Sequence, residues 1–217
     1  MKKFDFNTIE NFDDHIDKSV SNYREITDLI KLLSTYFIKD GNFVYDLGCS
    51  TGKLIKELSL DNPKADFIGY DISTNMIEEG EEGNVSFVNV DITDKGLKFY
   101  NTNLILSIFT LQFLDIEDRY NLVKRVYNNL NRGGAFIVTE KVFLDSGFLQ
   151  DVFIFTHYDQ KLKSFKPKEI LSKQRDLRRI MRPLTDSENI EIFKEAGFTK
   201  IETFYQSLNF KGWVLVK

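Results

Sequence analysis

The sequence predicts an α/β protein: a doubly wound, mostly parallel sheet with an antiparallel edge at its C-terminal end. Three observations carry that expectation. Between residues 43 and 139, short apolar runs alternate with segments of helical period, which demands crossover connections and parallel strands. A glycine loop, Gly48-Cys49-Ser50-Thr51-Gly52, follows the first apolar run and opens a helix. The last two strand-like runs, 199–205 and 208–216, have no helix between them and must pair antiparallel.

Each element has a local reason. Ile26, Leu29, Ile30, Leu33 and Phe37 recur at helical spacing, so 19–38 reads as a helix that Ser19 or Ser21 can cap. Phe43-Val44-Tyr45-Asp46-Leu47 is the first strand, and the helix from Thr51 to Leu60 closes at Asp61-Asn62-Pro63. Phe67–Tyr70 is the second strand, with a helix from about Thr74 to Glu79 after it. Strands follow at 85–90 and 103–108. A helix from Asp115 to Leu130 then stops at the glycine signal Asn131-Arg132-Gly133-Gly134, before a strand at 135–139. With a helix near 186–196 and the closing pair, the sheet counts seven strands.

The 217 residues suit one domain with a substantial core, comprising an N-terminal helical cap at 1–40 and an insertion at 141–183 too long for a simple connection. That insertion is basic. Within its residues 161–182, Lys161, Lys163, Lys166, Lys168, Lys173, Arg175, Arg178, Arg179 and Arg182 are opposed only by Glu169 and Asp176, inside a chain of net charge -4. A solvated helix face and a lid over an anionic ligand both account for it. One cysteine excludes an intrachain disulfide and a cysteine-rich zinc site, and no metal is expected. Met1–Asn7 turns acidic instead of entering an apolar signal region, and no apolar run reaches the length of a membrane span, so the expected location is the cytoplasm.

Three readings compete for the glycine loop. A phosphate-binding P-loop needs four residues between its glycines and Ser or Thr after the lysine; here three intervene, and Leu54 follows Lys53. A dinucleotide fingerprint needs glycine where Ser50 stands. The pattern D-x-G-x-[GS]-x-G, the S-adenosyl-methionine (SAM) loop of class I methyltransferases, fits Asp46–Gly52 without adjustment. Asp71, 19 residues after Gly52 at a strand end, can accept both ribose hydroxyls, and Asp91-Ile92 at the next strand end can reach and cover an adenine. The plainer role of both carboxylates is to cap the turns they open.

A narrower resemblance rests on other tracts. Asp17-Lys18-Ser19-Val20-Ser21-Asn22-Tyr23 precedes the first helix, Tyr45-Asp46-Leu47-Gly48-Cys49-Ser50 forms the loop, and Phe109-Thr110-Leu111-Gln112-Phe113-Leu114 follows the fourth strand. Thr139-Glu140-Lys141, Leu184-Thr185-Asp186-Ser187 and Gln206-Ser207-Leu208-Asn209-Phe210 complete the set. From about Phe12 to Lys217 the sequence resembles the carboxy-SAM synthases, which have a Rossmann-like class I methyltransferase fold. The resemblance implies ligand contacts at Tyr23, Gly48, Cys49, Ser50, Asp71, Ile72, Asp91 and Ile92, with Tyr23 and Arg175 in catalytic positions. Arg175 in Ser172-Lys173-Gln174-Arg175 is the match for an arginine that grips the added carboxylate, with Arg178 or Arg179 as the alternative, because the alignment needs a gap before Leu184. The family has asparagine directly before Phe-Thr-Leu-Gln-Phe; this chain has Ile108, preceded by Ser107.

The implied reaction takes SAM and prephenate to carboxy-SAM, for tRNA wobble-uridine modification, and phenylpyruvate: prephenate loses CO2, which a sulfonium ylide captures. A homodimer is implied as well. Prephenate is a dianion, so positive charge and a closed, water-poor site are required. Two rivals stand beside this reading. Ordinary methyl transfer to a small molecule lacks an Asn/Asp-Pro-Pro-Tyr-like tetrad, since that position reads Ser107-Ile108-Phe109-Thr110, and it lacks a cysteine after the fourth strand. Its candidate bases are few, His15 and His157 among them, although proximity alone can serve many small-molecule methyltransferases. An RNA-binding or regulatory protein that merely holds SAM has the basic segment in its favour, but only Phe165 interleaves it, so direct nucleic-acid binding is not expected.

Overall fold

A computed structural model describes residues 11–77 and 80–217, so the terminal stretch Met1–Asn7 and the end of the helix expected at 74–79 lie outside the described residues. The strands are β1 (Phe43–Leu47), β2 (Asp66–Asp71), β3 (Gly80–Glu82), β4 (Val85–Asn89), β5 (Thr102–Ile108), β6 (Leu130–Lys141), β7 (Lys200–Ser207) and β8 (Phe210–Val216). The helices are α1 (Phe12–Ser19), α2 (Tyr23–Ser34), α3 (Lys53–Asp61), α4 (Ile116–Asn129), α5 (Gly147–Lys161), α6 (Pro167–Leu177) and α7 (Asp186–Ala196). Together they make the expected Rossmann-like class I methyltransferase fold. The sheet runs β3-β4-β2-β1-β5-β6-β8-β7. Its centre, β4-β2-β1-β5-β6, is parallel, and β8 and β7 close one side antiparallel, as expected.

The strand order reverses between β1 and β5. At such a switch point two consecutive connections leave on opposite faces and open a crevice at the strands' carboxyl ends. The glycine loop stands at that crevice. One face of the sheet packs through Tyr45, Phe136 and Trp213 against α4 and α7, with Phe198 from the loop after α7. The other packs through Val44, Phe67, Leu104 and Ile137, with Ile26 and Ile30 of α2 and Ile55 and Leu58 of α3.

Four expectations are corrected. The sheet has eight strands, because β3 pairs antiparallel with β4 through Gly80↔Phe87 and Glu82↔Val85. Residues 74–76 form a turn rather than a helix, so this edge is a tight return and not a crossover. The helix expected at 19–38 is the shorter α2, Tyr23–Ser34; a separate helix, α1, lies before it, and the two are broken where Val20 is extended and Asn22 takes the left-handed backbone (φ 58°), which asparagine tolerates better than most residues. Gly133-Gly134 is no stop signal: β6 begins at Leu130 opposite Thr102, and the glycines fill the irregularity before Ala135 pairs with Leu104. A Cβ on Gly134 would sit 3.0 Å from the Asn103 carbonyl oxygen. The insertion carries helices of its own, α5 and α6.

Candidate functional site

The crevice is built first by backbone. Gly48 (φ 82°) and Gly52 (φ 73°) take the left-handed conformation, and a Cβ on either would lie 2.4 Å from the Thr110 side chain or 2.2 Å from the Phe87 ring. Both positions therefore need glycine for backbone freedom and for space. The Gly48 and Cys49 amides both donate to the Tyr70 carbonyl, which ties the loop to the end of β2.

Asp71 then fixes the loop from below. One carboxylate oxygen accepts the Ser50 amide at 2.8 Å and the other the Ser73 amide at 2.9 Å. Asp91 accepts the Thr93 amide and hydroxyl at 2.8 and 2.7 Å. Both carboxylates thus make turn contacts, and each keeps lone pairs for a further donor. Ile72, next to Asp71, is 69% exposed, an apolar side chain standing free at a strand end, whereas Ile92 is buried.

Asp46, one residue before the end of β1, is buried, and its Oδ1 has no hydrogen-bond partner among the described residues. Burial, with the charge of Asp71 added, pushes its carboxyl up to about 7. Burial and the same two carboxylates push the Cys49 thiol up, so it is a packed, unreactive side chain; a Cβ on Gly69 would come within 2.7 Å of its sulfur. Tyr23, the first residue of α2, feels Asp46 more strongly than any other charge, and burial and that charge raise its phenol. Its ring centre lies 6.3 Å from that of Phe109. Asp13 of α1 accepts the Thr51 hydroxyl at 2.8 Å, so the N-terminal helices sit directly on the loop.

From Tyr23 a chain of rings crosses the crevice. Phe109, itself left-handed (φ 57°), meets Phe210 edge to face at 5.8 Å, and Phe210 meets His157 of α5 at 5.1 Å. His157 Nε2 bonds the Ser19 carbonyl at 3.0 Å, and Ser21 donates to Gln160 at 2.5 Å, which joins α5 to the α1–α2 turn. Burial and the charges of Lys161 and Lys141 lower the imidazole to about 4, so it is neutral at pH 7.

The tracts after β5 and β6 lock together. Gln112 donates to the Phe109 carbonyl at 3.0 Å and accepts the Lys141 amide at 2.9 Å, while buried Glu140 accepts the Leu111 amide at 3.0 Å. Burial raises Glu140 to about 8 although Arg119 opposes the shift. Ser107 and Ile108 point to opposite faces of β5. Ser107 is fully buried and its hydroxyl has no partner among the described residues, whereas Ile108 packs on the Tyr23 side.

The structure therefore gathers Tyr23, Gly48, Cys49, Ser50, Asp71 and Ile108 around the carboxyl ends of β1, β2 and β5, with Asp91 and Ile92 just beyond β4. Arg175 is exposed on α6, and no ion pair is seen for it among the described residues. Arg179 pairs with Asp176, Arg182 pairs with Asp115, and the Arg178 guanidinium lies 5.0 Å from the centre of the Phe143 ring. Sequence reasoning missed Asp46, Gln112, Glu140 and Lys141 as site-building side chains. All four lie in tracts that carry the resemblance, but nothing in a linear pattern says which of them are buried. Among the described residues no group of three or more His, Cys, Asp or Glu could hold a metal ion, and no helix is long and apolar enough to cross a membrane.

Comparison with known proteins is consistent with this geometry. Residues 44–134 match a family model described as a methyltransferase domain. A carboxy-S-adenosyl-L-methionine synthase of Staphylococcus epidermidis is 37% identical over 97% of this chain and 94% of its own. Synthases of the same name from Nautilia profundicola and Histophilus somni are each 31% identical over 99% of this chain, and over 94% and 92% of theirs. Among solved structures, human N-acetylserotonin methyltransferase in complex with SAM superposes with a TM-score of 0.62 at 16% identity, over 92% of this chain and 53% of that one. A putative O-methyltransferase of Nostoc punctiforme gives 0.64 at 18% identity, over 89% and 56%. The chain spans about half the length of these two, and they show its fold alone.

Proposed function

The chain belongs to the carboxy-S-adenosyl-L-methionine synthases, a family of SAM-dependent transferases, and we propose that it converts SAM and prephenate to carboxy-SAM, phenylpyruvate and water, for tRNA wobble-uridine modification. The observation that carries this reading is the position of Tyr23. It belongs to one of the tracts that carry the resemblance; it feels the charge of Asp46 in the glycine loop, and its ring centre lies 6.3 Å from that of Phe109 in the Phe-Thr-Leu-Gln-Phe tract.

The crevice suits SAM. Gly48 and Gly52 keep clear a cradle that side chains would fill, and buried Asp46, whose Oδ1 has no partner among the described residues, offers negative charge near a cationic ligand. When bound, SAM supplies a sulfonium-activated methyl carbon that can accept a carboxyl group. Asp71 holds the ribose hydroxyls, Asp91 the adenine amine, and Ile72 and Ile92 flank the ring; Gly48, Cys49 and Ser50 line the adenosyl group. With Ile108 where the family has asparagine, the Tyr23 side of the site has one polar contact fewer, since the Ser107 hydroxyl faces the other side of β5. Prephenate loses its ring carboxyl as CO2, its ring hydroxyl leaves with a methyl proton as water, and CO2 joins the methyl carbon. Arg175 grips the transferred carboxyl, and Tyr23 orders the reacting groups. The basic insertion acts as a lid, keeping water away while CO2 crosses the site.

The helical cap and the lid belong with the sheet in a single cytoplasmic domain. The exposed apolar face of α5 (Phe148, Val152, Phe155) supports a homodimer. Denaturing the purified protein and weighing its released ligand tests the reading. Carboxy-SAM, heavier than SAM by one CO2, is expected; plain SAM or its demethylated product would favour ordinary methyl transfer. Phenylpyruvate formation that requires both SAM and prephenate is the second requirement.

A further inference from the structure

Three cations flank one aromatic patch without an ion pair among the described residues: Lys141 is paired across the sheet with Phe210, Phe210 meets His157 one helical turn before Lys161, and Arg178 lies over Phe143, two residues beyond Lys141. Lys141 ends β6, Lys161 ends α5, and Arg178 caps α6 at its C-terminus. Lys141 and Lys161 are half-buried and Arg178 is exposed, its guanidinium 5.0 Å from the centre of the Phe143 ring. Among the described residues no carboxylate lies within ion-pair distance of any of the three. The other cations nearby are committed: Lys211 on β8 to Asp186 at 2.6 Å, Arg182 to Asp115, and Lys173 to His15. The titratable neighbours are His157 and Tyr158 of α5, and neither supplies a counter-charge at neutral pH. Glu140, next to Lys141, points to the other face of β6, towards Leu111 and Arg119.

Packing like charges together without an anion costs free energy, and a folded protein keeps such an arrangement where a ligand supplies the missing charge. The ring chain Tyr23–Phe109–Phe210–His157 connects this cluster to the glycine loop, so it borders the same crevice. We propose that Lys141, Lys161 and Arg178 form a second anion subsite, which holds the carboxylate that a dicarboxylic co-substrate keeps, while Arg175 holds the one it transfers. This rests on the reading of the site as one that takes a dicarboxylic acid. Two separated grips orient the co-substrate, so that only one of its carboxyl groups faces the methyl carbon.

The cluster has a signature that needs no variant. Burial, then Lys161 and Arg178, lowers Lys141 to about 8. A bound carboxylate favours the ammonium form, so binding near pH 8.5 takes up protons, and binding at pH 6.5, where Lys141 is already charged, takes up almost none. The probe is phenylpyruvate, which retains the one carboxylate assigned to the cluster. Calorimetric titration of the full chain in buffers of different ionisation enthalpy should show that uptake. Lys161→Gln and Arg178→Gln should each weaken phenylpyruvate about tenfold and raise the KM for prephenate by a similar factor, roughly the worth of one charged hydrogen bond. Lys163→Gln, an equal charge change on an exposed residue, should shift either by less than about twofold. If phenylpyruvate binds with proton uptake but no carboxy-SAM forms, the subsite stands and the proposed reaction falls. If carboxy-SAM forms while uptake is absent, or while both variants keep the wild-type KM, the subsite is overturned and the reaction stands.

Discussion

The two halves of the crevice are built on opposite principles. On the glycine-loop side the charges are acidic, and backbone holds most of them: Asp71 by the Ser50 and Ser73 amides, Asp91 by Thr93. On the side of the inserted helices α5 and α6, proposed as a lid, the charges are basic and come from long side chains. The packing differs likewise. β1, β5 and β6 are buried almost throughout, whereas α5 buries only His157 and α6 only Ile170. A rigid acidic cradle suits a ligand held throughout a turnover, and a loosely seated basic cover suits one that enters and leaves.

The largest effect that tests this contrast is expected from the lid. Arg175→Ala should lower carboxylated product more than about 100-fold while weakening SAM less than about tenfold, since it removes a charged bidentate grip outside the cradle. Product formation and equilibrium SAM binding measure the two separately. If product persists and Arg178→Ala removes it instead, the grip belongs to the next turn of the lid.

The cradle should fail through its backbone. Gly52→Ala puts a Cβ into the Phe87 ring at a left-handed position and should cost about 3 kcal/mol of stability, read from denaturant unfolding. A loss below about 1 kcal/mol would show that the loop can rearrange and is not the rigid half.

Asp46 sharpens the comparison through pH. Its carboxyl is held at about 7, so a cationic ligand beside it should bind more tightly as pH rises from 6 to 8. Asp46→Asn should flatten that rise and weaken SAM about tenfold at pH 8, measured by equilibrium binding. A wild-type affinity independent of pH would remove Asp46 from the site.

The smallest effect concerns His157, whose folded value near 4 lies below its ordinary 6.5. Between those values the unfolded chain binds the proton and the folded one does not, so this group contributes stability above pH 6.5 that is lost as pH falls towards 4. Asp46, raised instead of lowered, acts in the opposite sense over that interval. His157→Gln keeps a donor for the Ser19 carbonyl and deletes the acid loss. Its melting temperature should therefore gain a few degrees on the wild type between pH 7.5 and pH 5.0. An unchanged difference would mean that His157 is solvated in solution.

How far the sequence could be read depended on the range of the interaction. The glycine loop, the central strands and the antiparallel C-terminal pair were legible because each is a local pattern. The break at Asn22 and the bulge at Gly133-Gly134 were not, because a left-handed asparagine and a glycine pair have the same letters whether they break, stop or bulge. β3 was missed because Gly80–Glu82 owes its extended form to its partner β4.

By itself, then, the sequence determined a doubly wound, mostly parallel sheet with an antiparallel C-terminal edge, the glycine loop and the set of tracts that mark the family. Only the tertiary structure decided which side chains share the crevice. Ser107 and Ile108 are neighbours in the chain yet face opposite sides of β5, because a strand alternates its side chains. Lys141, Lys161 and Arg178 are far apart in sequence, yet Lys141 feels the charges of the other two, and none of the three has an ion pair among the described residues. Burial set the remaining chemistry. The same carboxyl group is held above its ordinary value at Asp46, where water is excluded, while at Asp71 two backbone amides hold it in place.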